Sequence, residues 1–512
     1  MRFADVVATS ASVAATTGRS AKRDRLAELL AGLSPDEVIP AVGFLTGEPQ
    51  QGRIGVGWRT IASLEASAAE EPTLSIAEVD AALSSIAAQS GAGSGVARRV
   101  LLEALFGRAT AAEGRFLTSL LGGEQRQGAS DGIMLEAAAR AAGVPAATLR
   151  RATMLGGRLG EMAALALSGG ESALAAVSLQ VGRAVLPMLA TTSPDTEAAW
   201  QDASAGGRAV VQHKLDGIRI QVHRTASPRA PGPVRVFTRN LNDITDRLDD
   251  VVTAVEAMPG GSLVLDGEAL VTDADGRPVP FQDTAGRVGA EGPRNERVRP
   301  FFFDALHLDG DDLIDAPLNE RLGSLTDVAG PWLIEGATAT GAVDLARVNA
   351  EALDAGQEGV VVKDPTSTYA AGRRGRAWRK VKPVHTLDLV VLAAEWGHGR
   401  RRGWLSNLHL GARGPGNDFT MVGKTFKGLT DTLLTWQTGR LSELASAAGL
   451  PVDGHVVAVP PTLVVEIAVD GVQRSTRYSG GVALRFARVL RYREDKHPGQ
   501  ADTLSAVRAL LR

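Results

Sequence analysis

No cysteine occurs anywhere in the 512 residues. That absence excludes disulfides, thiol catalysis and any cysteine-ligated zinc module, and it fits a reducing cytoplasm. Long hydrophobic runs are missing too: nothing approaches the ~18 consecutive apolar residues of a membrane span. The opening residues MRFADVVATSASVAATTGRS carry Asp5 early and lack a continuous apolar run, so no signal peptide is expected. Neither sign of charge dominates. With 55 basic and 58 acidic residues the net charge is −3, which does not announce a nucleic-acid binder. Lysine is scarce: only eight of the basic residues are lysines, at positions 22, 214, 363, 380, 382, 424, 427 and 496. Lysine can shed its proton and act as a nucleophile, whereas arginine effectively cannot. A scarce residue can survive by chance, but these few positions merit inspection.

What is present describes an ordinary globular chain, 44% apolar and 22% charged. Its length exceeds what one core serves, so about two to four domains are expected. Up to about residue 180, segments such as AKRDRLAELLAGL, SIAEVDAALSSIAA and VARRVLLEALFGRATAAEGRFLTSLL place apolar residues at helical spacing. After a connector around TTSPDTEAAW, short Val/Ile-rich runs alternate with turns and a few helices from Ala209 to about Pro383, an α/β pattern. Beyond Val384 the runs LDLVVLAAEW, LSNLHLGAR, FTMVGKTF and TLVVEIAVDG read as strands, with one helix near TDTLLTWQTGRLSELASAAG, and suggest a small barrel. The expected division is 1–190, 191–384 and 385–512. Two dense basic stretches, Arg373–Lys382 and Gly399–Gly403, are read either as solvated faces or as phosphate-binding surfaces. Gly423–Thr425 (GKT) imitates a phosphate-binding loop, but Asp418 stands where that motif needs glycine, and the segment reads as a strand.

The stretch HKLDGIRIQVH puts a charged lysine, then Asp216 and Gly217, at the head of an alternating strand. Ile218, Ile220 and Val222 fall on one face and Arg219, Gln221 and His223 on the other. Alone, this is a tight turn with an exposed lysine. Companions follow in order: FTRN with Arg239, LVLDGEAL with Asp266 and Glu268, and FFFDALHLDG with Phe303 and Asp304. Further on come EGVVVK with Glu358 and Lys363, AWRKVK with Lys380 and Lys382, and RYREDK with Arg493, Asp495 and Lys496. Five of the eight lysines fall in these segments.

This ordered set resembles the covalent lysine nucleotidyltransferases, and within them the ATP-dependent DNA ligases of the three-domain bacterial and archaeal type. The resemblance covers the last 300 or so residues through the motifs, and the helical first third, including LLGGEQRQGASDGIMLEAAARAAGV, looks like the DNA-binding domain of the larger ligases. It implies a multidomain fold: an all-α DNA-binding domain, an α/β nucleotidyltransferase (adenylation) domain and a β-barrel OB-fold domain. It also implies ATP and Mg2+ as cofactors, nicked double-stranded DNA as partner, no membrane and a monomer. It assigns no sliding-clamp contact and no particular cellular pathway.

By the same resemblance, Lys214 attacks the α-phosphate of ATP and carries AMP. A lysine near its ordinary pKa of about 10.4 is protonated at neutral pH and cannot attack. The expectation is therefore that Lys214 packs among cations, namely Lys363, Lys380, Lys382 and Arg219. Gln212 would read the adenine amine, Phe303 would stack on the base, and Arg219 and Arg239 would grip phosphates. Lys380 and Lys382 would contact the α-phosphate. Glu268 and Glu358, as hard carboxylate donors, would hold magnesium, with Glu268 alternatively on the ribose. Arg374 would support the pocket, with Asp216 as a partner. Arg493 and Lys496 would orient the departing pyrophosphate, and Arg474, Arg477 and Arg485 are candidates for the duplex backbone. Phe301 and Phe302 fit the core better than Phe303 does. Trp378 is as readily a packing residue as a functional one.

Two departures stand out. Gln212 replaces the glutamate common in the family; its amide can accept a hydrogen bond from the adenine amine and can also donate one. Arg158 in LGGRLGE stands where aspartate is common. The rival readings are an RNA ligase or a capping guanylyltransferase, and a DNA-end-binding protein without catalysis.

Overall fold

The computed structural model describes residues 1–511 except 53, 124, 126, 127, 129, 226–232, 274–277, 280, 290–296, 372–374, 399, 400 and 453; for 58, 59, 281, 285, 289 and 417 it describes the backbone alone. Arg373 and Arg374, and part of the Gly399–Gly403 stretch, therefore lie outside the described residues.

Ten helices among the described residues occupy the first third, from Phe3–Ala14 to Leu159–Ala175. Their starts are written locally. Ser75 and Thr110 each accept a hydrogen bond from the backbone three residues on, while Glu78 and Glu113 reach back to the cap N–H at 2.9 and 2.8 Å. One apolar core serves these helices, centred on Phe3, whose ring meets Phe44 and Phe116 edge-on at 5.7 and 5.5 Å.

Two five-stranded sheets follow. One runs Thr191–Thr192, Trp378–Val381, Val360–Lys363, Ala209–His213, Gly336–Ala339. The other runs Val234–Thr238, Ile218–Arg224, Leu263–Val271, Val298–Leu308, Asp311–Asp312. Residues 214–217 are the link from one sheet to the other. Gly217 makes this possible: a Cβ there would sit 2.5 Å from the carbonyl oxygen of Ala269 and 2.9 Å from Glu268 Cγ. Gly359, with φ of +132°, adopts backbone that side chains disfavour, and a Cβ would run into the carbonyl of Val381.

The strand Ile218–Arg224 alternates as its sequence requires, with Ile220 and Val222 fully buried. Its polar face is buried as well, because Gln221 and His223 are covered by the segment arriving from the helices. Arg224, fully buried, donates to five carbonyls, those of Val255, Met258, Pro259, Gly260 and Gly261, all at 2.8 Å. Val255 is in the last turn of the helix Asp249–Glu256, where carbonyls run out of partners within the helix, and the other four follow it. The helical region meets the sheets through a separate apolar cluster that includes Met154, Leu155, Val185, Met188, Phe303, Tyr369 and Trp378. A bidentate ion pair from Arg151 to Asp315 at 2.6 Å adds to it.

The last third is mainly sheet. Phe419–Thr425, Leu405–Arg413, His385–Trp396, Val464–Val469 and Arg488–Tyr492 pair in that order, Val456–Ala458 joins the long strand, and Gly471–Arg474 pairs with Val482–Arg485. The helix Asp431–Ala447, capped by Thr430, packs on them. The GKT decoy lies in the strand Phe419–Thr425, and Lys424 is paired with Glu395.

Arg224→Met leaves several buried carbonyls without donors and is expected to destabilise the sheet region by roughly 3 kcal/mol or more. Arg224→Lys should recover only part of this, since three donors cannot serve five acceptors. Urea unfolding of the two variants beside the parent chain measures both effects.

Candidate active site

Lys214 is fixed through its backbone before its side chain is considered. Its N–H donates to Gly359 O at 2.8 Å and its carbonyl accepts from Glu358 N at 2.9 Å. This pair of bonds sets Glu358 opposite Lys214, and the two side chains form an ion pair. A cavity of about 550 Å3 opens there, lined by Gln212, Lys214, Arg219, Arg239, Glu268, Phe303, Lys363, Trp378 and Lys380 among others. The motifs, scattered over more than 160 residues, thus converge on one space.

One end of the cavity is cationic. Lys214, Lys380 and Arg239 lie close enough that the charges of Lys214 and Arg239, together with Lys382, hold the Lys380 ammonium below its ordinary value, after burial itself. The expected cations are joined by a carboxylate. Lys214 has Glu358 as its direct partner, because the backbone pairing brings that carboxylate to it.

The other end is aromatic. Phe303 and Trp378 meet edge-on at 6.1 Å, and Lys363 Nζ lies 4.6 and 4.0 Å from their ring centres. Burial pushes Lys363 down to about 7; Asp304 and Asp266 oppose this, while Arg219 and Arg321 add to it. Glu268 moves the other way. Burial raises it to about 7, with Asp266 and Asp216 adding and Lys214 and Arg219 opposing. Two buried polar atoms on the cavity wall, Gln212 Oε1 and Trp378 Nε1, have no hydrogen-bond partner among the described residues. Phe302 belongs to the core as expected, but Phe301 is only half-buried and lies beneath Arg299.

Arg219 lines the cavity, and one edge of its guanidinium, Nε and Nη2, is taken by Asp266 at 2.9 and 2.5 Å, with Phe303 beneath at 5.1 Å. Asp266 also accepts from Tyr369 Oη at 2.6 Å. Tyr369 was not singled out from the motifs. Its signal was available, since it is one of only three tyrosines in the chain and lies between the two lysine-bearing strands.

Several expected residues lie apart from the cavity. Lys382 is paired with Asp470 of the last third at 2.5 Å. Arg485, a candidate for the duplex backbone, instead grips Asp216 at 2.5 and 3.0 Å and approaches Glu358 at 3.8 Å. The partner of Asp216 is therefore Arg485; Arg374 lies outside the described residues. Arg493 and Lys496 are held within the last third by Asp388, with Glu466 and Asp495 also on Arg493. The face turned to the cavity carries Asp470 and Arg485.

Comparison with known proteins places these features. Residues 59–139 match the family model described as DNA ligase N terminus, 187–382 the ATP dependent DNA ligase domain, and 401–496 the ATP dependent DNA ligase C terminal region. A protein of Saccharopolyspora erythraea named "Probable DNA ligase" is 53% identical over 507 residues, 99% of this chain and 97% of that one. Its namesake in Rhodococcus jostii is 52% identical over 512 residues, the whole of both. The solved structure named Pmar-Lig_PreS3 shares the fold, with a TM-score of 0.65 at 16% identity over 95% of this chain and 99% of that one.

Lys363 supplies a pH test. The unfolded chain holds this proton up to the ordinary lysine value, while the folded chain releases it near 7. Between those limits the unfolded state binds more protons, so the penalty for burying the amine falls as pH rises. The parent chain should gain stability relative to Lys363→Met from pH 7 to 9, by at most about 1.4 kcal/mol per pH unit. Denaturant midpoints across that range check it.

Proposed function

The chain belongs to the ATP-dependent DNA ligase family, and on that premise we propose that Lys214 is the nucleophile with which this ligase seals nicks in duplex DNA. The observation that carries the reading is the convergence of Lys214, Arg239, Lys380, Phe303, Glu268 and Gln212 on one cavity.

Lys214 Nζ, its proton passing toward the Glu358 carboxylate, attacks the α-phosphorus of ATP. A P–N bond forms, the bond to the β-phosphate oxygen breaks, and pyrophosphate leaves. An oxygen of the 5′-phosphate at the nick then attacks the same phosphorus, and Lys214 departs, regaining a proton. Finally the 3′-hydroxyl oxygen attacks the 5′-phosphorus, loses its proton and expels AMP. Throughout, Lys380 and Arg239 offset phosphate charge in a low-dielectric space. Phe303 stacks on adenine, and Gln212 accepts from its amine with the oxygen that lacks a partner. Lys363, whose protonation is poised near neutrality, is charged most readily once phosphate enters.

The enzyme uses ATP and Mg2+. Among the described residues no group of three or more potential ligands surrounds one point. Magnesium takes one or two carboxylates and completes its sphere with phosphate oxygens and water. Glu268 and Glu358 would hold it. The ion supplies charge neutralisation at the phosphates.

We further assign residues 1–190 to DNA binding, 191–384 to adenylation and 385–512 to an OB-fold, acting as a monomer in the cytoplasm. Support for the OB-fold comes from the long strand His385–Trp396 pairing on both sides. No helix among the described residues is long and apolar enough to cross a membrane.

Incubation with α-labelled ATP and magnesium should label the parent chain on Lys214 and leave Lys214→Ala unlabelled while it still binds nicked DNA. Label on another lysine overturns the assignment. A second prediction concerns Arg493 and Lys496, which must leave their carboxylate partners to meet pyrophosphate. Arg493→Ala or Lys496→Ala should slow self-adenylation by about 10²-fold. Sealing of a nick already carrying AMP should be nearly unaffected. Lys380→Ala should impair both steps. Rates of the two reactions, measured separately, decide.

A further inference from the structure

Between the last long helix of the helical region and the first sheet runs a segment that is not in regular structure until Thr191. Three side chains of the α/β region grip its backbone at a spacing of three residues. Gly182 N–H donates to His223 Nδ1 at 3.0 Å. Val185 is held from both sides: its N–H donates to Gln221 Oε1 at 2.7 Å and its carbonyl accepts from Gln221 Nε2 at 3.1 Å. Met188 N–H donates to Tyr369 Oη at 2.9 Å. Residues 189–192 then line the nucleotide cavity, and Thr191–Thr192 pair in parallel with Arg379–Lys380.

These contacts form a connected set. With Nδ1 accepting from Gly182, His223 carries its proton on Nε2 and donates it to Gln221 Oε1 at 2.9 Å. Tyr369 accepts from the segment and donates to Asp266, which holds Arg219 against the cavity. Gln221, His223, Tyr369, Asp266, Val185 and Met188 are buried, and Gly182 and Arg219 are partly so. The polar half of the strand Ile218–Arg224 thus serves two structures at once, Arg219 facing the cavity and Gln221 with His223 facing the segment.

We propose that Gln221, His223 and Tyr369 are positioning residues for ATP binding: they clamp residues 182–188 so that 189–192 close one wall of the cavity, and Tyr369 sets Arg219 through Asp266. The helical region and the nucleotide pocket are thereby joined through one short strap held by these hydrogen bonds. This rests on the reading of the cavity as the ATP site. A residue that only held the fold together would alter stability without altering the nucleotide response.

The test uses the full chain and α-labelled ATP with magnesium, following self-adenylation against ATP concentration. Tyr369→Phe keeps the ring and removes both hydrogen bonds; Gln221→Leu keeps the volume and releases Val185. Each should raise the half-saturating ATP concentration by about tenfold, as one to two lost buried hydrogen bonds predict. The rate at saturating ATP should stay within about threefold. Val222→Ala, on the opposite face of the same strand, serves as a control that should lower the unfolding midpoint and leave half-saturation unchanged. If Gln221→Leu does not fold, the near-isosteric Tyr369→Phe decides. Unchanged half-saturation in Tyr369→Phe, or an equal rise in Val222→Ala, overturns the proposal. A parent chain that takes up no label overturns the ATP reading itself, and the clamp with it.

Discussion

Two backbone hydrogen bonds, from Lys214 N–H to Gly359 and from Glu358 N–H to Lys214, hold the rest of the site in register. They join the turn between the two sheets to the end of a neighbouring strand. The reactive lysine, its carboxylate partner and the strand bearing Lys363 are consequently one rigid unit. Both glycines of the adjoining motifs are needed there for the same reason, since at each the neighbouring backbone leaves no room for a Cβ. A site assembled on strands and a four-residue link is held more tightly than one carried on a long loop.

Around this unit the protein buries an unusual number of charges, and they divide by role. Arg224, and the Arg321–Asp304 pair with both side chains fully buried, have their hydrogen-bonding capacity met by carbonyls and each other. They are internal ties. Lys363 and Glu268 are not satisfied in that way, and burial displaces both toward neutrality. Groups so displaced gain most from a ligand that brings the opposite charge, which is how phosphate and a cation would act on them. Asp266 stands between the two kinds, fully buried and accepting from Arg219 and Tyr369.

The last third meets the site through Arg485 on Asp216 and Asp470 on Lys382. Only residues 382–384 separate the strand Trp378–Val381 from His385–Trp396, so rotation about a short link would suffice to exchange faces. In the present arrangement the Arg493 and Lys496 charges are neutralised by their own domain. The roles proposed for Arg493 and Lys496 at pyrophosphate therefore require a second arrangement in which these cations leave their carboxylates.

Sequence by itself determined the elements and most of the chemistry. Helical periodicity, the capping pairs Ser75–Glu78 and Thr110–Glu113, and the alternation in HKLDGIRIQVH are local properties, set by residues a few positions apart. The ordered motifs likewise singled out Lys214, Arg239, Glu268, Phe303, Lys363 and Lys380, which the fold brings to one cavity. Tertiary structure alone decided which charges meet. Arg485 reaches Asp216 across 269 residues, Lys214 takes Glu358 as its direct partner, and the polar face of the first motif strand turns inward to hold residues 182–188. Partnerships of this kind depend on how separate sheets and helices pack, and pair energies between distant charges leave no periodicity in the chain from which they could be read.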